Sequence, residues 1–322
     1  MQFTSLKWMC VVLTSSLVGC SQITPLPEHQ VALSQTYPLQ TQGNYQVLSW
    51  DNYVNDQQLI NLVDLALVSN QDLKIASLRI HEAQAAYGIQ RAELFPNIGG
   101  NAGMERNHVP ADLSYVGREM TTSQYSVGLG MNQWELDLWG RIRSLNEAAL
   151  QQFFAVESNV QAVRNSLIQQ TVLSYLTLSE LDKRIYFAQR SVQNYEKSVR
   201  LFKRRYEVGA SSKVEYMQAK TMLSNGQALV TQLEKSRALT ANYLVQLVGQ
   251  PTSLHQTDLD QVTFKTGVLH TGLPSDLLLN RADIRASEAM LKSKHANINA
   301  ARAAFFPRIT LTGSLGTASA DL

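Results

Sequence analysis

LSELDKRIYFAQRSVQNYEKSVRLFKRRY, residues 178–206, decides how the rest of the chain is read. It steps through Leu178, Leu181, Ile185, Ala188, Val192, Tyr195, Val199, Phe202 and Tyr206 by alternating threes and fours, the spacing of a left-handed coiled-coil seam. The register continues backwards through Leu150, Phe153, Val160 and Leu167, with Glu157, Arg164, Thr171 and Ser174 falling on the same line. No Pro or Gly interrupts 141–206, so one helix of roughly 100 Å is expected at 1.5 Å per residue. A rod of that length needs partner helices, and a long structural hairpin is the plainest form it can take.

C-terminal to this rod, Gly209 stops the helix and Ser211 or Ser212 caps the next one, which runs from Val214 to Val248. The two helices therefore fold back on each other with a short tip. The returning seam holds Leu223, Val230, Leu233, Leu244 and Leu247, with Gly226 and Arg237 intruding. Gly249-Gln250-Pro251 ends it and an irregular linker follows to Gly272.

N-terminal to the rod, Tyr125, Val127, Leu129 and Met131 alternate with small or polar residues, and Ile98, Ala102 and Met104 do so more weakly. These are two strands, joined by a polar loop from Asn107 to Thr122. One apolar face suits either a half-buried soluble sheet or a barrel wall between lipid and water. Trp134 and Trp139 follow, as an interfacial aromatic girdle would. Before the strands, a helical pattern from Asp56 passes Asn70-Gln71-Asp72 and stops at Phe95-Pro96.

Met1 to Gly19 reads as an export signal, with Lys7 ahead of an apolar run too short to span a bilayer. It ends in Leu17-Val18-Gly19-Cys20, which resembles the bacterial lipobox. That resemblance implies cleavage before Cys20, acylation of Cys20, and outer-membrane sorting because Ser21 is not Asp. Residues 20–54 hold Pro25, Pro27 and Pro38 and read as a tether.

The end of the chain repeats its beginning. Asp72, Ala85, Arg91, Ala92, Phe95, Pro96 and Ile98 recur 211 residues later as Asp283, Ala296, Arg302, Ala303, Phe306, Pro307 and Ile309. A third strand through Ile309, Leu311, Gly313 and Leu315 is expected. The organisation is then signal 1–19, tether 20–54, first repeat 55–249, linker 250–272 and the start of a second repeat at 273–322.

Three stretches are similar to those of the TolC-like outer-membrane factors, in the lipoprotein (OprM/NodT-type) branch that serves RND multidrug efflux systems. They are Gln133-Trp134-Glu135-Leu136-Asp137-Leu138-Trp139-Gly140-Arg141, Leu247-Val248-Gly249-Gln250-Pro251, and Gly272-Leu273-Pro274-Ser275-Asp276-Leu277-Leu278-Leu279-Asn280-Arg281. The resemblance covers Cys20 to Leu322, with Ala282 where the family has Pro. It implies a mixed α and β fold: long antiparallel coiled-coil helices forming a periplasmic α-barrel, plus strands of a trimeric transmembrane β-barrel. It implies a homotrimer that passes drugs or other small solutes outward, docked through a periplasmic adaptor to an inner-membrane RND-type transporter, with outer-membrane lipid around it. Arg205, Val208, Gly209, Ala210 and Ser211 are the expected adaptor contacts at the hairpin tip, and Glu215 is a tunnel-lining candidate. Family members complete the second repeat with another strand and hairpin, so three strands without a fourth are not expected to build a working channel by themselves.

Competing classes find less support. Of 322 residues 44% are hydrophobic and 17% charged, with a net charge of +2, which excludes a disordered chain and does not favour a nucleic-acid partner. His29, His81, His108, His255, His270 and His295 are scattered, with no metal pair, phosphate loop or nucleophile elbow, so no catalytic residue and no metal is expected. Cys10 and Cys20 build no disulfide framework, and the covalent lipid on Cys20 is the one non-protein group expected. A structural or adaptor coiled-coil lipoprotein, the remaining alternative, has no reason to carry the repeated strands.

Overall fold

The computed structural model describes residues 23–26, 50, 54–254 and 275–321. Cys20, the signal and nearly all of the tether and linker lie outside the described residues. The elements are α1 (Gln57–Ser69), α2 (Gln71–Ala92), β1 (Ile98–Val109), β2 (Met120–Glu135), α3 (Arg141–Glu207), α4 (Lys213–Val248), a 3-10 turn (Ser275–Asn280), α5 (Ala282–Ala303) and β3 (Thr310–Ser319). They fall into two compact units, one of Met1–Val31, Ile80–Ser158 and Asp283–Leu322, the other of Ala32–Arg79 and Asn159–Ala282.

The first unit holds an antiparallel sheet in the order β1-β2-β3. The repeat is reproduced element by element, since α5 begins and ends 211 residues after α2. Both helices finish in the same turn: Phe95 N–H donates to the Ala92 carbonyl at 3.0 Å, and Phe306 N–H to that of Ala303 at 3.2 Å. Ala282 takes the first helical position, where an N–H is without an intrahelical acceptor and where the family's Pro would sit equally well. The strands run farther than the alternation suggests, to Val109 and from Met120. The connecting loop is thus shorter than Asn107 to Thr122, because Arg106, Asn107, His108, Thr121 and Thr122 belong to the ladder.

Beyond β2, the chain turns into α3 through a cluster of ion pairs and caps. Glu135 grips the Arg141 guanidinium with both oxygens, at 2.9 and 2.7 Å. Asp137 accepts the Ile142 and Arg143 N–H groups at 3.0 and 2.8 Å, satisfying two orphan donors at the start of α3. Trp139 stacks on Phe306 with ring centroids 4.9 Å apart and donates its indole N–H to the Pro307 carbonyl at 2.9 Å. It thereby ties the corner where the first repeat meets the second.

In the second unit the core gathers Leu59, Leu62, Val63 and Ala66 of α1, Leu167, Tyr175 and Leu178 of α3, and Leu244, Leu247 and Val248 of α4. Each fully buried leucine contributes about 2 kcal/mol. Asp56 ties this core to its edge, capping α1 through the Gln58 and Leu59 N–H groups and accepting the Tyr175 hydroxyl at 2.7 Å. The Leu247–Pro251 stretch also has a packing reason. Gly249 sits in the left-handed region at φ 79°, and a Cβ there would lie 2.6 Å from the Ser69 carbonyl oxygen. Buried Asn70 donates to the Leu247 carbonyl at 2.9 Å while accepting the Leu73 N–H at the start of α2.

Along the hairpin, Leu181, Ile185 and Leu233 form a second buried cluster with Ala188 against it. The two residues that interrupt the α4 seam have partners on α3. Arg237 makes a two-pronged ion pair with Asp182, and Gly226 leaves the space that Tyr195 fills, since a Cβ there would lie 3.1 Å from the ring. Towards the tip Val192, Val199 and Phe202 are only half-buried, and Phe187, Leu201 and Leu229 are exposed.

Candidate functional site

The tip is built by its own backbone. Ala210 N–H donates to the Arg205 carbonyl at 2.7 Å and Gly209 N–H to that of Tyr206 at 3.0 Å, the paired bonds of a Schellman close. Gly209 takes φ 74°, and nothing lies within 4 Å of where its Cβ would stand. On the other side Ser212 caps α4 by accepting the Glu215 N–H at 3.2 Å, and Glu215 reaches back to the Ser212 N–H at 3.0 Å. Ser211 donates a further short bond to the same carboxylate. The Ser211 hydroxyl, the Ser212 N–H and the nearby Arg205 charge together hold the Glu215 carboxyl below its ordinary range. Tyr206 and Tyr216 stack across the base of the turn, centroids 6.1 Å apart.

All six residues singled out at the tip are thus brought together, and each except half-buried Ser211 is exposed. Val208 stands out at 78% exposure, an apolar side chain with no cover. Glu215, read from the sequence as a tunnel-lining candidate, is exposed and accepts both bonds of the turn, from the Ser211 hydroxyl and the Ser212 N–H, on one oxygen, Oε2. Sequence reasoning missed an apolar strip just beyond: Val214, Met217 and Met222, which with Lys213, Gln218 and Thr221 line an open groove on α4. The lining positions Val214, Met217, Gln218, Thr221 and Met222 share one helical face, which is visible in the sequence, but helical periodicity alone does not say which stripe stays uncovered.

The sheet supplies the other candidate surface. Directly paired residues share a face, so Ile98, Ala102 and Met104 line up with Met131, Val127 and Tyr125, and Leu129 with Leu315. The opposite face carries Asn101, Glu105, Gln124, Ser126 and Ser314 among glycines. A register shift between Met131 and Trp134, with Gln133 at φ 52°, sets Trp134 opposite Leu311 and so returns a large side chain to the apolar side. Most of that apolar face is exposed, Leu315 to 82%. Twelve residues of β1 span about 40 Å along the strand at ~3.4 Å each, or about 30 Å when tilted, the height of a bilayer core.

Among the described residues no group of His, Cys, Asp or Glu could hold a metal ion, and no helix is long and apolar enough to cross a membrane. The lipidation candidate Cys20 lies outside the described residues.

Comparison with known proteins points the same way. The family model described as outer membrane efflux protein matches residues 62–250 and 273–322. The solvent efflux pump outer membrane protein SrpC of Pseudomonas putida is 35% identical over 333 residues, an alignment covering 100% of this chain and 70% of SrpC. A membrane protein from Pseudomonas aeruginosa superposes with a TM-score of 0.81 at 34% identity, covering 94% of this chain and 69% of that one. The open state of the Neisseria gonorrhoeae MtrE outer membrane channel gives 0.77 at 33% identity, covering 94% and 68%.

Proposed function

The chain belongs to the outer membrane efflux protein family, and from that premise we propose that it is the outer-membrane duct of a tripartite pump. As an outer-membrane efflux channel it conducts and makes or breaks no bond. In the finer reading three copies close their sheets into one barrel, the helical hairpins continue the duct into the periplasm, and a lipid on Cys20 holds the chain to the membrane. An adaptor protein meets the tip around Val208, Gly209 and Ala210, and an RND-type transporter behind it supplies the drive. Drugs or other small solutes are the cargo.

One observation carries this reading, the two-faced sheet. Its apolar side is exposed, and among the described residues no strand pairs with the outer edges on β1 and β3, which leaves their N–H and C=O groups to be satisfied. Lipid covers such a face, and closure with neighbouring copies satisfies such edges, whereas each orphan group in hydrocarbon costs several kcal/mol. The tip supports the adaptor contact through its uncovered Val208 and open space at Gly209. The test is dye efflux in a strain lacking its own outer-membrane efflux protein, with site-specific photocross-linking to the adaptor. Ala210→Trp, which leaves the Gly209 backbone untouched, is expected to abolish both while oligomers persist; Gly209→Asn, tolerated at positive φ, is expected to keep them. Normal cross-linking by Ala210→Trp would remove the tip from the interface.

A further inference from the structure

Of the described N-terminal residues 23–26, Thr24 is held against α5 at four points. Its hydroxyl donates to Asn299 Oδ1 at 2.9 Å and accepts from the Arg302 guanidinium at 2.9 Å. Its carbonyl accepts from Asn299 Nδ2 at 3.0 Å and from His295 Nε2 at 2.8 Å, which requires the proton of His295 on Nε2. Beside it Ile23 packs against Gly140, where a Cβ would come within 2.9 Å of the isoleucine Cδ1. His295, Asn299 and Arg302 follow one another by four and three on one stripe of α5, and Asn299 is buried.

The internal repeat shows that this stripe is not a by-product of the helix. The equivalent positions of α2, 211 residues earlier, are Gln84, Gly88 and Arg91. A Cβ added at Gly88 would meet nothing within 4 Å, so the first copy lacks the amide and, among the described residues, has no chain segment against that position. The clamp belongs to the second copy alone, the one that receives the N-terminal chain.

We propose that His295, Asn299 and Arg302 form a docking site for the segment directly behind Cys20, and that this site registers the lipid anchor on the sheet-bearing unit. The proposal rests on the lipoprotein reading above. Four residues of chain reach at most ~14 Å, so a lipid on Cys20 stays within that distance of Thr24. Without the clamp, the thirty-five residues of the tether, 20–54, would let the anchor wander on the order of 30 Å. The clamp therefore converts a loose leash into a fixed attachment beside the corner where the strands leave α2 and α5.

The experiment places a nitroxide at Pro25→Cys in the full chain, alone and combined with Thr24→Val or Asn299→Ala, and repeats each in a Cys20→Ala background. The clamp predicts a strongly immobilised label that becomes severalfold more mobile in both combined variants, in either background. Thr24→Val alters only the exposed segment, so the test survives if Asn299→Ala misfolds. Equal mobility with and without Thr24→Val would overturn the docking site. With Cys10→Ala throughout, thiol-labelling stoichiometry separates the premise: one nitroxide per Pro25→Cys chain is expected when Cys20 is acylated, and two would show that no lipid is there to register.

Discussion

Glu215 shows how a residue's work is set by its immediate neighbours. Its carboxylate accepts from Ser211 and from the Ser212 N–H, and feels the Arg205 charge, so its pKa falls below its ordinary value of 4.5. A depressed carboxyl contributes stability that is fully present above the unfolded value and is lost as pH falls through the folded one. The tip is therefore expected to stay closed at neutral pH and to loosen only in strong acid. Amide exchange at the first turn of α4 should show an acid opening step in the wild type that is missing in Glu215→Gln, which keeps an acceptor oxygen but has no proton to gain. An identical step in both proteins would assign the opening to another group. The Ser-x-x-Glu spacing of a capping box stands in the sequence at 212–215, yet spacing alone does not say that the Glu215 carboxylate closes back on the turn. That closure depends on the rotamer, which neighbours such as Ser211 decide.

At the scale of elements, the helices were legible because their signal is long and redundant. The α3 seam, the Gly209 and Gly249 stops and the Phe-Pro ends all stand where periodicity and breakers place them. What was not legible was complementarity across the hairpin. Arg237 and Gly226 look like defects on α4 alone, and become an ion pair and a notch only beside Asp182 and Tyr195. The strand ends were read short for a related reason, since Arg106, Asn107 and Thr122 are polar at the rim of a sheet and resemble loop. The ion pair makes a prediction at this scale. Its Asp182 side chain is 5% exposed, so Arg237→Ala leaves a nearly buried charge unpaired and is expected to destabilise the hairpin by about 3 kcal/mol. The double replacement Asp182→Leu with Arg237→Met should recover most of that loss. Chemical denaturation of the four proteins of the cycle gives the coupling; additive losses would mean that the pair is incidental.

For the whole molecule the decisive property is that two kinds of surface are left without cover, and each asks for a different environment. The half-exposed α3 and α4 seams ask for more helices in water. The sheet asks for hydrocarbon on one side and water on the other, and the pairing register says which is which: Leu129 and Leu315 on the first, Ser126 and Gln124 on the second. A lysine in place of Leu129 puts a charge near the middle of the apolar band, at a cost of about 2–4 kcal/mol in each copy. Every copy in a closed barrel carries that cost, so Leu129→Lys is expected to abolish insertion and, with it, any oligomer resolved by native gel electrophoresis. A lysine in place of Ser126, three residues earlier and on the other face, meets water; oligomers should form in normal amount, with altered single-channel conductance and ion selectivity in planar bilayers. The comparison depends on face alone, because both positions lie in the same strand, at nearly the same depth. Equal tolerance of the two lysines would mean that the sheet does not separate lipid from water, and the duct would have to be built some other way.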